Sequence, residues 1–316
     1  MKKVIAVGLL VLIVLFFGAY YLFPEAMFKL AINAERGAAG LTKKEIQVDD
    51  HTIVYLEGGK GETVLLLHGF SADKDNWTRF AKYLTKDYHV VIPDLPGFGE
   101  SSEITQDVYD TDHQLKRIDR FTEELKLEKF HLAGNSMGGA FTAIYSATYP
   151  QKVLTAALLA PAGVKSPHKS EVAMLLEKGI NPLLVSNNEE FDRLMKLVFV
   201  NPPFMPDQFK KIFAAQANAH RDFNSKIMHD LKWNEAKDGS PILETFLNPY
   251  LPMIQAPVLI IWGDSDKLLD VGGVAVLEKN LKKYQTVIMK DTGHIPMLER
   301  PKETATAYLT FLKGQH

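Results

Sequence analysis

The sequence predicts an α/β architecture: a mostly parallel central sheet of about eight strands flanked by helices, with an inserted helical cap and an N-terminal transmembrane helix. Three observations lead there. Leu65-Leu66-Leu67 and Val90-Val91-Ile92 are continuous apolar runs, the pattern of strands buried on both faces of a parallel sheet. Helical patterns separate the later strand segments, as right-handed βαβ crossovers require. Between the apolar Phe130-His131-Leu132-Ala133 and the helix-like segment from Ala140 lies Gly134-Asn135-Ser136-Met137-Gly138-Gly139, a G-x-S-x-G strand-turn-helix elbow that presents one side chain outward.

Taken in order, residues 4–23 form a stretch of 20 residues without a charge. At about 1.5 Å per helical residue that length crosses a hydrocarbon core of about 30 Å. Lys2 and Lys3 precede it, and Phe16, Phe17, Tyr20, Tyr21 and Phe23 crowd its far end like an interfacial aromatic belt. A cleaved signal peptide is the competing reading, but bulky Tyr20 to Phe23 stand where a cleavage site needs small residues. Lys29, Arg36, Lys43 and Lys44 dilute the charge bias, so the preference for a body on the outer, periplasmic or extracellular side rests on the N-terminal lysines alone. Residues 25–41 then read as a short amphipathic helix with Met27, Leu30, Ala31 and Ala34 on one side, lying along a membrane surface or packed on the body.

The main body, residues 44–161 and 250–316, follows with the cap, residues 162–249, between its parts. Strands are expected at 45–48, 52–57, 63–67, 89–92, 129–133 and 153–159, and helices at 75–85, 112–127 and 137–149, the last stopped by Pro150. After residue 159 the alternation ceases, and Leu, Met, Phe, Asn and Pro dominate, with helical stretches near 170–179, 189–200 and 206–219. It resumes with a strand at 258–262, a helix at 274–282, a strand at 285–289 and a last helix at 302–312. Both flanks are needed to complete one sheet, so the middle is an insertion rather than a second domain.

Composition removes several classes of function. A net charge of -2 and the lack of a concentrated Lys/Arg face argue against a nucleic-acid partner. There is no cysteine, which excludes a thiolate nucleophile, a disulfide framework and Cys-ligated zinc. Neither an H-E-x-x-H pair nor a G-x-x-x-x-G-K-[ST] loop occurs, so no metal or other cofactor is expected. Asp94-Leu95-Pro96-Gly97-Phe98-Gly99-Glu100-Ser101-Ser102 is Gly-rich yet lacks the lysine of a phosphate cradle, and reads as a structural turn with Asp94 holding backbone amides.

Chemistry centres on Ser136. A serine hydroxyl is a poor nucleophile at neutral pH and needs a histidine base oriented by a carboxylate. Behind such an elbow the order is Ser, acid, His, and His294 in Asp291-Thr292-Gly293-His294-Ile295-Pro296 lies in the loop between the last strand and the last helix. Trp262-Gly263-Asp264-Ser265-Asp266 ends a buried strand with two carboxylates; Asp264 sits at the turn, where it tends to cap its own backbone, Asp266 reaches further out, and Asp270 is the remaining choice. An oxyanion needs rigid donors, and the Met137 amide after the nucleophile and the Phe70 amide in the loop His68-Gly69-Phe70 are the expected pair. His68 reads as a structural histidine bonded within that loop. For substrate binding the candidates are Phe70, Met137, Ile295 and the apolar cap residues Phe199, Phe204, Met205, Phe209 and Phe213, although cap residues of this kind also form the cap's own core.

Together His68-Gly69-Phe70, the turn at 94–102, the elbow, Trp262-Gly263-x-x-Asp266 and Gly293-His294 resemble the α/β-hydrolase superfamily from about Lys44 to the C-terminus. Within it the chain is similar to membrane-anchored monoacylglycerol lipases and related bacterial lipases, through the N-terminal span, residues 68–77, Pro161-Ala162-Gly163 and residues 266–271. The resemblance implies the α/β-hydrolase fold, a Ser136–Asp266–His294 triad, no cofactor and hydrolysis of lipid or small-molecule esters at a membrane. Two alternatives stand beside this. One is a carbon-carbon bond hydrolase of ring-fission products, which shares the elbow; the other is a catalytically silent hydrolase fold that binds without turnover.

Overall fold

A computed structural model describes residues 5, 9, 18–232 and 246–315 of the chain. Eight strands form one sheet in the order β1-β2-β4-β3-β5-β6-β7-β8. They are β1 Leu41–Val48, β2 His51–Gly58, β3 Thr63–Leu67, β4 His89–Pro93, β5 Phe130–Asn135, β6 Val153–Leu159, β7 Val258–Gly263 and β8 Tyr284–Met289. The first two pairings, β1 with β2 and β2 with β4, are antiparallel; every pairing from β4 to β8 is parallel. The hydrophobic pattern explains the difference. β3, β5 and β7 are apolar along most of their length and almost wholly buried, whereas β1 carries Lys and Glu on an exposed edge.

Two apolar layers cover the sheet. Helices Thr111–Glu124, Met137–Thr148 and Gly273–Asn280 close over Leu65, Leu67, Leu132, Leu158 and Ile260 on one face. Helices Thr78–Leu84 and Pro301–Lys313 cover Val64, Leu66, Val90, Ile92 and Ile261 on the other, with Trp77, Phe80, Tyr308 and Phe311 filling the gap. From β3 the chain moves outward to β4, then crosses back to β5 on the other side of β3. That reversal opens a crevice at the carboxyl ends of β3 and β5, where an α/β sheet receives its ligand.

The insertion folds as helices Glu171–Leu176, Asn188–Val198, Asp207–Ala219 and Arg221–Leu231. The fourth is not among the helices expected from the sequence, although Phe223, Ile227 and Leu231 repeat every four residues and Ile227 is fully buried. Part of the cap, residues 233–245, lies outside the described residues.

Helix Pro24–Ala38 leads into β1. It is packed on the body: Arg36 makes two hydrogen bonds to the Asp75 carboxylate at 2.7 and 2.6 Å, and Arg79 reaches Glu35 at 2.6 Å. Its apolar face is not the one expected. Leu30 is 63% exposed, while Phe28 packs edge-on against Phe209 and Phe213 of the cap. The partner is a neighbouring aromatic surface, and so Phe28 rather than Leu30 turns inward. Residues 18–22 are helical as well, and the Tyr20 hydroxyl accepts from the Gln208 amide at 3.0 Å. The remainder of the apolar run at 4–23, Phe16 and Phe17 included, lies outside the described residues apart from Ile5 and Leu9; among the described residues no helix is long and apolar enough to cross a membrane.

Candidate active site

Ser136 stands at the junction of β5 and helix Met137–Thr148 with φ 55° and ψ -115°, a conformation that costs a non-glycine residue energy and persists where surroundings over-determine it. The glycines explain how. A Cβ on Gly134 meets the Gly138 carbonyl oxygen at 2.1 Å, and one on Gly138 meets the carbonyl oxygens of Leu67 and His68 at 2.3 and 2.5 Å. Only bare backbone lets strand, helix and the β3 loop approach this closely. The Ser136 amide then donates to the Leu159 carbonyl at 3.0 Å, which locks the elbow to β6.

Across the crevice, His294 Nδ1 lies 2.7 Å from Asp266 Oδ2. A carboxylate only accepts, so Nδ1 carries the proton and Nε2 is the free lone pair. Asp266 is fixed by further donors: the amides of Leu268 at 2.8 Å and Leu269 at 3.0 Å reach Oδ1, and the Trp262 indole reaches Oδ2 at 3.1 Å. Its two rivals point elsewhere. Asp264 accepts from the Ser265 hydroxyl, and Asp270 accepts from the Gly272 amide and the Ser166 hydroxyl. His294 Nε2 is buried and makes no hydrogen bond, to the Ser136 hydroxyl or to any other atom of the described residues.

The histidine loop is held from both sides. Asn135, the residue before the serine, donates to the carbonyls of Leu159 and His294 at 3.1 and 3.0 Å. From the cap, the Val198 carbonyl accepts the His294 amide at 2.8 Å; from the segment after the histidine, Glu299 accepts the amides of Gly293 at 2.8 Å and of Asn201 in the cap at 2.6 Å. None of these supports was visible in sequence, because each joins the loop to a partner that no local pattern identifies.

On the β3 side, His68 is fully buried, with Nδ1 donating to the Gly69 carbonyl at 2.7 Å and Nε2 accepting the Leu95 amide at 2.9 Å. Burial lowers its pKa, and this bonding fixes the neutral ring. Asp94 accepts the amides of Lys74 at 2.7 Å and Glu100 at 2.8 Å and the Lys74 ammonium at 2.6 Å, so the turn at 94–102 is tied to the loop that carries Phe70. A Cβ on Gly69 lies 3.3 Å from Ser136 Cβ, which measures how near that loop comes to the nucleophile elbow.

Phe70, Ser136, Met137 and His294 line one cavity with Ala162, Val172, Leu183, Met228, Leu231, Leu268 and Leu269. Ser136 and His294 are the polar side chains of that lining. Leu268 and Leu269 closely follow the acid, and Met228 and Leu231 come from the cap helix that periodicity had not assigned. The other expected binding residues do not line it: Phe204 is 90% exposed, Phe199 is buried in a cap cluster with Leu197 and Leu268, and Ile295 packs against that cluster. Phe209 and Phe213 face Phe28, and Met205 packs beside Phe191 and Ala214. Helix Asp207–Ala219 spends its aromatic face on the N-terminal helix instead of the cavity.

Known proteins resemble the chain along most of its length. It is 34% identical to Lipase 1 of Psychrobacter immobilis over 89% of this chain and 87% of that one. It is 31% identical to the human monoacylglycerol lipase ABHD6, over 99% and 95%. A crystal structure of a membrane phospholipase A, a bacterial virulence factor, superposes with a TM-score of 0.88 at 44% identity, covering 100% of this chain and 99% of the other. The family model for the alpha/beta hydrolase fold matches residues 62–301, and the chain belongs to that family.

Proposed function

We propose that the protein is a serine hydrolase of carboxylic esters, monoacylglycerol-lipase-like, that cleaves lipid esters through an acyl-enzyme. One observation carries the reading: an apolar cavity whose polar groups are a strained serine and a histidine bonded to a buried carboxylate. The apolar walls suit an acyl chain, and the polar pair suits the ester carbonyl.

Ser136 Oγ attacks the carbonyl carbon while His294 Nε2, whose lone pair is unengaged, takes the hydroxyl proton. Asp266 holds the ring through Nδ1 and stabilises the imidazolium. The amides of Phe70 and Met137 receive the oxyanion; Met137 opens its helix, so its N–H has no intrahelical partner. The imidazolium protonates the leaving alcohol. Water, deprotonated by the same nitrogen, then releases the carboxylic acid and restores Ser136. Membrane attachment through residues 4–23, with the catalytic domain on the outer side, brings the cavity to its partitioned substrate.

A fluorophosphonate probe tests the nucleophile. It labels the wild type and fails to label folded Ser136→Ala, whose turnover of p-nitrophenyl butyrate falls by several orders of magnitude. Labelling that survives the substitution rules Ser136 out. Parallel turnover of monoacylglycerols and of a ring-fission dienone separates ester from carbon-carbon cleavage; preference for the dienone overturns the lipid assignment.

A further inference from the structure

Helix Arg221–Leu231 does two things at once. Met228 and Leu231 line the cavity, and one turn earlier Asn224, 4% exposed, sends its Nδ2 3.0 Å to the Ser71 hydroxyl. Ser71 follows Phe70 directly and has φ 56°, a left-handed conformation in a residue that is not glycine. The Ala72 amide bonds the Gly69 carbonyl at 3.3 Å, so Gly69 to Ala72 form a tight turn whose third residue takes positive φ. Glycine normally fills that place at no steric cost; here serine does. The Ser71 conformation, in the turn that carries the Phe70 amide, is therefore unfavourable in isolation and is fastened by a side chain of the cap. The helix is a firm mount for it, since Tyr109 donates its amide to Asp230 at 3.0 Å and Lys226 donates to the Asp107 carbonyl at 2.5 Å.

We propose that Asn224 is a positioning residue for the oxyanion hole: its amide holds the strained Ser71 turn and thereby aims the Phe70 N–H. Resting on the serine-hydrolase reading above, the inference makes cap placement a determinant of the chemical step. The same helix that touches the acyl chain sets the electrophilic contact.

The test uses the full chain, with p-nitrophenyl butyrate turnover and inhibition by an alkyl boronate, whose tetrahedral adduct occupies the same hole. Asn224→Ala lowers kcat about 10-fold with KM within about 2-fold, and weakens the boronate by a similar factor, as expected for a misaimed donor. Ser71→Ala breaks the same bond and does the same; the two combined are no worse than either alone. Asn224→Ala with Ser71→Gly recovers kcat to within about 3-fold, because glycine takes positive φ unaided. A merely structural Asn224 gives no such rescue. Wild-type kcat in Asn224→Ala, or a double variant with Ser71→Gly that folds and stays slow, overturns the proposal. If Asn224→Ala does not fold, wild-type kcat and boronate affinity in Ser71→Ala do so instead. Ser136→Ala, which abolishes turnover in the same assay, separates failure of this inference from failure of the reading beneath it.

Discussion

Single residues carry the tightest constraints, and Gly138 is the sharpest. A Cβ there meets two carbonyl oxygens of the β3 loop at 2.3 and 2.5 Å, and both belong to backbone that cannot rotate away. Gly138→Ala is expected to abolish soluble expression or to lower Tm by about 10 °C or more, measured by thermal denaturation, since relieving the clash means parting strand from helix. The acid makes a second contrast. Asp266→Asn leaves the Leu268 and Leu269 amides bonded but presents the wrong partner to His294 Nδ1, and kcat falls by about 10² to 10⁴-fold. Asp264→Asn stays within about 2-fold, because the Asp264 carboxylate accepts from its own turn rather than from the histidine. The reverse outcome in steady-state kinetics moves the acid to Asp264. Asp73 offers a pH-dependent test. Burial of its carboxyl, with the charges of Asp75 and Asp94 nearby, pushes its pKa up to about 7. A carboxyl that binds its proton more tightly when folded stabilises the fold at acidic pH, and this contribution is lost as pH rises through about 7. Asp73→Asn, which keeps the oxygen that accepts the Asp75 amide at 2.8 Å, raises Tm at about pH 8 by several degrees and changes it little at about pH 4. Equal Tm changes at both pH values remove Asp73 as the source.

Between elements the decisive contacts are those that join the cap to the catalytic loops. Glu299 receives amides from Gly293, beside the histidine, and from Asn201 of the cap, so one carboxylate fixes both segments. Glu299→Ala leaves the two donors without that partner, destabilising by about 2 kcal/mol in denaturant melts and lowering kcat about 10-fold through a loosened His294. A variant with lost stability and unchanged kcat shows that the Val198 carbonyl suffices for the loop. These supports also mark where sequence reading stops. Buried strands announce themselves by apolar runs, and the elbow by glycines that steric contact demands, so the sheet and the positions of Ser136, Asp266 and His294 in their loops were legible. Asn135, Val198, Glu299 and Asn224 act through polar contacts between segments far apart in the chain, whereas the periodicities that sequence reveals are local. The place of the cap aromatics away from the cavity was hidden for a related reason. Periodicity says that Phe209 and Phe213 share a helix face, yet which neighbour that face meets depends on tertiary packing, and Phe28 claims it.

For the molecule as a whole, the N-terminal helix is joined to both core and cap. Arg36 and Glu35 bind it to the core beside the Phe70 loop, while Tyr20 and Phe28 bind the N-terminal segment to the cap. Tyr21, Leu22 and Phe23 are exposed and continue the apolar run toward the N-terminus, and Phe204 on the cap is exposed as well. In the attachment proposed above, residues 4–23 bring substrate supply next to the cap without entering the catalytic chemistry. Deleting residues 1–23 is expected to release the enzyme from membranes in flotation assays. Turnover of soluble p-nitrophenyl butyrate stays within about 3-fold, because the contacts that hold Asp266 and His294 come from elsewhere and the loss is that of Tyr20 with Gln208 and Phe209. Turnover of monoacylglycerol embedded in vesicles falls by about 10-fold or more, since a tethered enzyme sees its lipid at a raised effective concentration. Equal loss on both substrates in a folded truncation shows that Tyr20 holds the cap in its working position, and full membrane retention places the anchor elsewhere in the chain.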